Sequence, residues 1–242
     1  MTHKITKAMV LAAGLGTRMH PLTTDIPKPL VPLNGVTLID RVLTHLSANG
    51  VTRVVVNTHF KADKIDAHLK GRDDIVLSRE TDRLETGGGV LNALANFEDE
   101  PFYVINSDAV WLDGPSPTLS RMARLWDDDT MDALLLMQRM TNLIGGSGMG
   151  DYFLNPLGVA RRRSGSEVSP YLFAGVQVLH PRLFDGCAPG AFSLNVLYDK
   201  AQEADRLYGL VHDGEWYHVG TPEELRAASD DIAHGNVSVN SR

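Results

Sequence analysis

Two glycines and two cations stand close together near the start of the chain. In LAAGLGTRMHPLTTDIPKPLVP, Leu11 to Pro32, an apolar run from Met9 to Ala12 leads into Gly14 and Gly16, then Arg18, then Lys28 between two prolines. Glycine has no Cβ, so the backbone here can take positive φ and bring its N–H groups close to a ligand. Successive N–H groups in such a turn form a concavity that attracts anions. Arg18 adds a planar fork of donors and Lys28 a compact point charge, both suited to phosphate oxygens. Pro27 fixes its own φ, and Pro29 biases Lys28 toward an extended backbone, so the ammonium is presented from a stiff segment. The chemistry these residues predict is polyphosphate binding.

Two commoner phosphate motifs are excluded. A P-loop needs a Gly-Lys pair, and the chain has none. The dinucleotide fingerprint needs a third glycine or alanine opening a helix, where this chain has Met19 followed by four prolines up to Pro32. Asp108 follows a strand pattern, Phe102–Asn106, in NSDAVW. At a strand's carboxyl end it is placed either to hold a hard cation such as Mg²⁺ or to cap the strand in an Asx turn. A second glycine cluster, LETGGGV from Leu84 to Val90, precedes a helical pattern. Its N–H groups are placed to meet a base edge or a phosphate, unless the glycines only ease the start of the helix.

The run G-x-G-T-R-x-x-P-x-T-x-x-x-P-K-P-L, from Gly14 to Leu30, resembles the signature of the sugar-1-phosphate nucleotidyltransferases. The L-E-T-G-G-G form, Gly150-Asp151-Tyr152, the stretch Phe173 to Leu194 and WYHVGTPEEL from Trp216 resemble the muramic acid 1-phosphate uridylyltransferase subgroup. The likeness thus covers nearly the whole chain. It implies a Rossmann-like α/β/α sandwich with a mostly parallel mixed sheet. It also implies an enzyme that joins a nucleoside triphosphate to a sugar 1-phosphate and releases pyrophosphate. Ala13, Gly14, Gly16, Thr17, Arg18 and Lys28 would face the triphosphate, with Arg18, Lys28 and Asp108 catalytic. Glu85, Thr86 and Gly88 would lie on the nucleobase side, and Asp151 and Gly175 on the sugar side. Asp108 would bind Mg²⁺. The family's second metal aspartate is replaced by His218, and imidazole suits Mn²⁺ or another transition ion better than Mg²⁺. Direct metal contact, contact through water and simple packing all remain open for His218. Ser107 stands where the family has glycine. The implied substrates are UTP and N-acetylmuramic acid 1-phosphate, in cell-wall sugar salvage. The alternatives are a hexose- or heptose-1-phosphate nucleotidyltransferase with another triphosphate, or a nucleotide-sugar-binding protein without turnover.

The elements that must position these residues alternate. Strands are expected at Ala8–Ala12, Arg53–Asn57, Ile75–Ser78 and Phe102–Asn106, and helices at Leu38–Ala48, Ala62–Leu69 and Gly88–Asn96. Later come a helix at Pro117–Trp126, strands at Ala133–Met137, Leu172–Leu179, Leu207–His212 and Trp216–Val219, and a last helix near Pro222. Thr221 is the expected N-cap of that helix and Glu224 completes a capping box. The glycine-rich stretch from Gly145 to Gly150 reads as a mobile loop. One domain over residues 1–242 is expected, with a nucleotide-binding half up to about 110 and a sugar-binding half after it.

At 242 residues, with 43% hydrophobic and 22% charged residues, the chain has the composition of a globular α/β domain. A net charge of −7 argues against nucleic acid or an anionic membrane as the main partner. One cysteine, Cys187, excludes an internal disulfide and a zinc ribbon. No apolar run spans a membrane or forms a signal core, so the cytoplasm is expected. Oligomeric state is not readable from these residues.

Overall fold

The computed structural model describes residues 4–142 and 148–239. The expected mobile stretch 145–150 therefore lies partly outside the described residues. Strand β1 (Lys7–Leu11) leads into a long loop that contains a short hairpin, β2 (Pro32–Leu33) and β3 (Val36–Thr37), before helix α1 (Leu38–Ala48). Alternation continues through β4 (Arg53–Thr58), α2 (Ala62–Leu69), β5 (Ile75–Arg79), α3 (Glu85–Ala93) and β6 (Phe102–Asn106). Next come β7 (Val110–Leu112), α4 (Thr118–Leu125), β8 (Ala133–Arg139), β9 (Tyr152–Leu154) and β10 (Ala160–Arg162). The chain continues with β11 (Tyr171–Leu179), α5 (Asn195–Glu203), β12 (Leu207–Val211), β13 (Glu215–Tyr217) and α6 (Pro222–Val239).

The helix boundaries follow local chemistry. Thr37 Oγ1 accepts the Asp40 N–H at 3.2 Å and starts α1, and Gly50 at φ +78° lets the chain turn away after it. Leu38, Ile39, Val42, Leu43 and Leu46 of α1 are all buried, and each contributes about 1.5–3 kcal/mol of transfer free energy. At α6 the Glu224 N–H reaches Thr221 Oγ1 at 3.2 Å, as a capping box requires. The Glu224 carboxylate, however, accepts from Gly220 N–H at 2.8 Å, one residue upstream of the reciprocal partner.

The main sheet has the order β5–β4–β1–β6–β11–β8–β12, with the β9–β10 pair beside the first part of β11. β1 pairs in parallel with β4 and β6, Met9 lying opposite Val55 and Val104. β11 runs antiparallel to β6, so the sheet is mixed. From β1 the chain builds outward to β4 and β5, then returns to β1's other side for β6. The carboxyl ends of β1 and β6 therefore border a topological switch point, where open α/β sheets bind ligands.

Residues of α1, α2 and α4 fill the core on one face, and residues of α3 and α5 on the other. The result is an α/β/α sandwich whose central sheet takes strands from both halves of the chain, with β2–β3 and β7–β13 as separate two-stranded pairs. A third cluster packs Met19, Val31 and Leu33 against Val110, Tyr217 and residues of α6. That cluster fixes the path of the loop carrying Arg18 and Lys28. Among the described residues, no helix is long and apolar enough to cross a membrane.

Several expectations need correction. α3 begins at Glu85, three residues before Gly88, so the glycine triplet lies inside the helix. Lys28 is not extended but opens a 3₁₀ turn over Lys28–Leu30. The bonds Leu30 N–H to Pro27 O (2.9 Å) and Val31 N–H to Lys28 O (3.0 Å) outweigh the local bias from Pro29. Helix α5 and strands β2, β3, β7, β9 and β10 were not anticipated; α5's buried face is three residues, Leu197, Tyr198 and Ala201, a short apolar pattern.

His212, 4% exposed, follows β12. Its Nε2–H donates to Glu215 O at 3.0 Å, and its Nδ1 meets the Thr118 hydroxyl at 3.3 Å, which suits the neutral ring. Burial lowers its pKa below the usual histidine value. The unfolded chain therefore takes up a proton that the folded protein resists. This contribution to stability is complete above about pH 6.5 and is lost as pH falls below it. The urea midpoint should decline between about pH 6.5 and 5, and His212→Gln should flatten that decline. An unchanged slope in the variant would assign the decline to other groups.

Candidate active site

The loop after β1 closes on itself. Gly16 has φ +65°, and Thr23 Oγ1 donates to its carbonyl at 2.8 Å. A Cβ on Gly16 would lie 3.0 Å from Lys28 Cβ, so this glycine lets the turn rest on the lysine stem. Met19, fully buried, anchors the 3₁₀ turn Thr17–Met19 and leaves Thr17 and Arg18 facing outward. Arg18 has no hydrogen bond or ion pair among the described residues. Its guanidinium lies beside Gly220, where His218 Nε2 and a Glu224 carboxylate oxygen also converge.

At the end of β6 the Ser107 N–H donates to Leu11 O at 3.0 Å and extends the β1–β6 pairing by one residue. Buried Ser107 therefore fits where glycine was expected. Asp108, 34% exposed at its side chain, receives the Lys28 ammonium on Oδ2 in an ion pair. The catalytic lysine and the metal-position aspartate of the sequence reading are thus brought into contact. They stand at a cavity of about 440 Å³ bordered by Ala13, Gly14 and Gly16 on one side and by Arg83, Glu85 and Thr86 on the other. Asn57, Asn106 and Ser193 complete the walls named here. Sequence reasoning missed these three and Arg83. For Asn57 and Asn106, a polar residue near the carboxyl ends of β4 and β6 was the available signal.

The glycine triplet has a different role from the one expected. The N–H groups of Gly87 and Gly88 both donate to Phe192 O, at 2.8 and 3.2 Å. A Cβ on Gly87 would overlap the Phe192 ring, and one on Gly88 would overlap the Gly190 carbonyl. Gly88 is buried against a neighbouring loop and offers no N–H to a nucleobase. Thr86 Oγ1 accepts the Leu194 N–H at 2.9 Å, while Glu85, at φ +58°, remains exposed beside the cavity.

Asp151 and Gly175 lie outside that cavity's wall. Asp151 Oδ2 accepts the Phe173 N–H at 3.0 Å and braces the start of β11. Gly175, at φ +77° in the irregular middle of β11, makes room for the Asn106 side chain, which a Cβ would approach at 2.9 Å. Asp151 borders a second cavity of about 520 Å³ with Arg162, Arg163, Phe173 and Asn195. Asn195 of this cavity is two residues from Ser193 of the first, so the two walls meet along that short segment.

His218 is 51% exposed, tilted against Trp216, and 3.8 Å from Glu224 Oε2. No contact joins it to Asp108 among the described residues, and no group of three His, Cys, Asp or Glu residues there forms a metal cluster. Asp108 has one oxygen on Lys28 and, among the described residues, a second without a protein hydrogen bond. That fits a Mg²⁺ ion held by one carboxylate together with substrate phosphates.

These placements separate two kinds of glycine. Gly88→Ala should cost about 1–3 kcal/mol of stability through overpacking, read from urea denaturation. Gly14 is exposed, and a Cβ there meets nothing within 4 Å. Gly14→Ala should leave stability within about 0.5 kcal/mol while weakening binding of a polyphosphate anion. A large stability loss in the Gly14 variant would contradict this division.

The sequence profile of the MobA-like NTP transferase domain matches residues 8–175. An N-acetylmuramate alpha-1-phosphate uridylyltransferase of Caulobacter vibrioides is 39% identical, over 93% of this chain and 96% of that protein. The protein of the same name from Neisseria meningitidis serogroup B is 32% identical, over 92% and 96%. Among solved structures, a UDP-glucose pyrophosphorylase complexed with UDP-glucose superposes with a TM-score of 0.75 at 19% identity, covering 96% of this chain and 99% of that one. That last likeness concerns the fold. The chain belongs to the MobA-like NTP transferase family of nucleotidyltransferases, in the branch that resembles the N-acetylmuramate alpha-1-phosphate uridylyltransferases.

Proposed function

We propose that the protein transfers a uridylyl group from UTP to N-acetylmuramic acid 1-phosphate and releases pyrophosphate. The observation that carries this reading is the Lys28–Asp108 pair at the mouth of a glycine-lined cavity on the β1–β6 seam. A sugar-phosphate oxygen attacks the α-phosphorus in line, the bond to the β-phosphate breaks, and pyrophosphate leaves. No covalent intermediate on the protein is needed, so positioning and electrostatics supply the catalysis.

The turn from Ala13 to Thr17 and the exposed Arg18 guanidinium would hold the β- and γ-phosphates and take up leaving-group charge. Lys28 would exchange its carboxylate partner for an α-phosphate oxygen as substrate arrives. Asp108 would hold Mg²⁺, which when bound neutralises charge on the phosphates. Glu85 and Thr86 border the nucleobase side. His218 stands with Arg18 and Glu224, which supports a part at the triphosphate end rather than direct ligation beside Asp108.

For the sugar, the second cavity is the support. Arg163 is held by Gly150 O at 2.8 Å and Gly165 O at 2.6 Å, and has no carboxylate partner among the described residues. Arg162 leans on Asp199 at 2.8 Å. Two guanidinium groups beside Asp151 and Asn195 suit a sugar that carries a carboxylate, as muramic acid does, better than a neutral hexose.

The test is pyrophosphate release from a panel of nucleoside triphosphates and sugar 1-phosphates, with Mg²⁺ and with Mn²⁺. UTP with N-acetylmuramic acid 1-phosphate should give the highest kcat/KM. Lys28→Ala should lower kcat by about a hundredfold or more with the fold intact, and near-normal turnover would remove Lys28 from the mechanism. Arg163→Gln should raise KM about tenfold for the acidic sugar phosphate and leave N-acetylglucosamine 1-phosphate unaffected. An equal effect on both sugars would deny Arg163 a role in reading the carboxylate.

A further inference from the structure

Asn57 and Glu80 lie outside every motif of the sequence, yet they form a buried bridge at the nucleotide cavity, with Asn57 in its wall and Glu80 behind it. Asn57, near the end of β4, is 2% exposed, and Glu80, just after β5, is 4% exposed. Asn57 Oδ1 accepts the Ala12 N–H at 2.8 Å, and its Nδ2 donates to Glu80 Oε1 at 2.7 Å. Glu80 Oε2 in turn accepts the Leu84 N–H at 3.2 Å. Among the described residues no Lys, Arg or His side chain pairs with the Glu80 carboxylate, so its partners there are these uncharged donors, while His59 Nδ1 meets the Glu80 backbone oxygen at 3.1 Å. The backbone holds the same corner, because the Glu80 N–H donates to Thr58 O at 2.8 Å.

The two ends of the bridge sit at opposite walls of the cavity. Ala12 opens the turn that runs through Ala13, Gly14 and Gly16. Leu84 precedes Glu85 and Thr86 on the other side. The third glycine of the triplet belongs to this bridge. A Cβ on Gly89 would stand 2.7 Å from Glu80 Oε1 and 2.8 Å from Asn57 Nδ2. A side chain at that helix position would displace the pair.

We propose that the Asn57–Glu80 bridge sets the spacing between the phosphate turn and the facing loop, and so tunes affinity for the nucleoside triphosphate. Both are positioning residues: their bonds go to protein groups, and they act through Ala12 and Leu84. The inference rests on the nucleotidyltransferase reading. A buried hydrogen-bond chain is costly to leave half made, because an orphaned donor or a pair of facing acceptors keeps its full desolvation penalty. Asn57→Asp sets two carboxylate oxygens against each other with no cation between them. Glu80→Gln turns an amide N–H₂ toward another donor at one end. Asn57→Asp combined with Glu80→Gln restores every bond with the same net charge. Ala12 N–H donates to one oxygen of residue 57, the residue 80 amide donates to the other, and Leu84 N–H donates to the residue 80 carbonyl.

The experiment measures UTP binding by calorimetry, and KM for UTP and for the sugar phosphate, in wild type, both single variants and the double variant. Each single variant should weaken UTP binding about tenfold and leave the sugar-phosphate KM within about twofold, and the double variant should return to within about fivefold of wild type. Single effects that multiply in the double variant, or that fall equally on both substrates, overturn the proposal. If the single variants do not fold, the double variant alone decides. Near-wild-type UTP binding supports the bridge, and a double variant that binds weakly or fails to fold overturns it. A wild-type protein that binds UTP but releases no pyrophosphate with any sugar phosphate would count against the catalytic reading and leave the bridge testable by binding. One that binds no triphosphate overturns both.

Discussion

The contact on which the site depends is the ion pair between Lys28 and Asp108, because it joins a loop to a strand end across the seam of the sheet. Neither residue is held there by its own element. Lys28 reaches the seam because Met19, Val31 and Leu33 sink the loop into a small apolar cluster with Val110, Tyr217 and α6. Asp108 reaches it because β6 pairs with β1 up to Leu11 and Ser107 adds one more backbone bond. As a partly exposed pair it adds about 1 kcal/mol or less to folding. Its weight lies in position. It keeps a cation and a carboxylate together at the cavity, where, under the proposed reaction, an incoming phosphate and its cation would offer each a better partner.

Around that pair, the glycines divide the labour. Gly16 allows close approach of the turn to the lysine stem, whereas Gly87, Gly88 and Gly89 allow close approach of three protein groups to α3. The second set is as strict as the first, since backbone carbonyls and buried polar atoms yield less than a flexible side-chain tip. The cavity walls are therefore fixed from behind, with Phe192, Gly190 and the Asn57–Glu80 pair packed against one helix. Such rigidity is what a reaction without a covalent intermediate requires of its protein.

Much of this was legible in the chain because local signals and tertiary structure agree. α1 and α2 fall on Leu38–Ala48 and Ala62–Leu69, the bounds that apolar spacing and end signals predict. Thr221 caps α6 as expected. The phosphate turn and Asp108 stand at strand ends because the alternating pattern builds a parallel half-sheet. What was not legible depends on residues far apart in sequence. The LETGGG run carries no mark that Phe192, more than a hundred positions later, takes its N–H groups. Asn57 and Glu80 stand 23 positions apart and belong to no motif, and only the fold puts 2.7 Å between Nδ2 and Oε1. The 3₁₀ turn at Lys28 defied a propensity rule because two backbone hydrogen bonds outweigh one proline's bias. Nothing in Gly150-Asp151-Tyr152 announces that one Asp151 carboxylate oxygen accepts the Phe173 N–H.

The most direct test of the central claim is a crystal structure with a non-hydrolysable UTP analogue and Mg²⁺. The account predicts phosphates lying along the Gly14–Gly16 turn, with the Lys28 ammonium on a phosphate oxygen instead of on Asp108 and the Arg18 guanidinium turned toward the distal phosphates. A nucleotide bound elsewhere, or phosphates bound at a distance while Lys28 stays on Asp108, would contradict it.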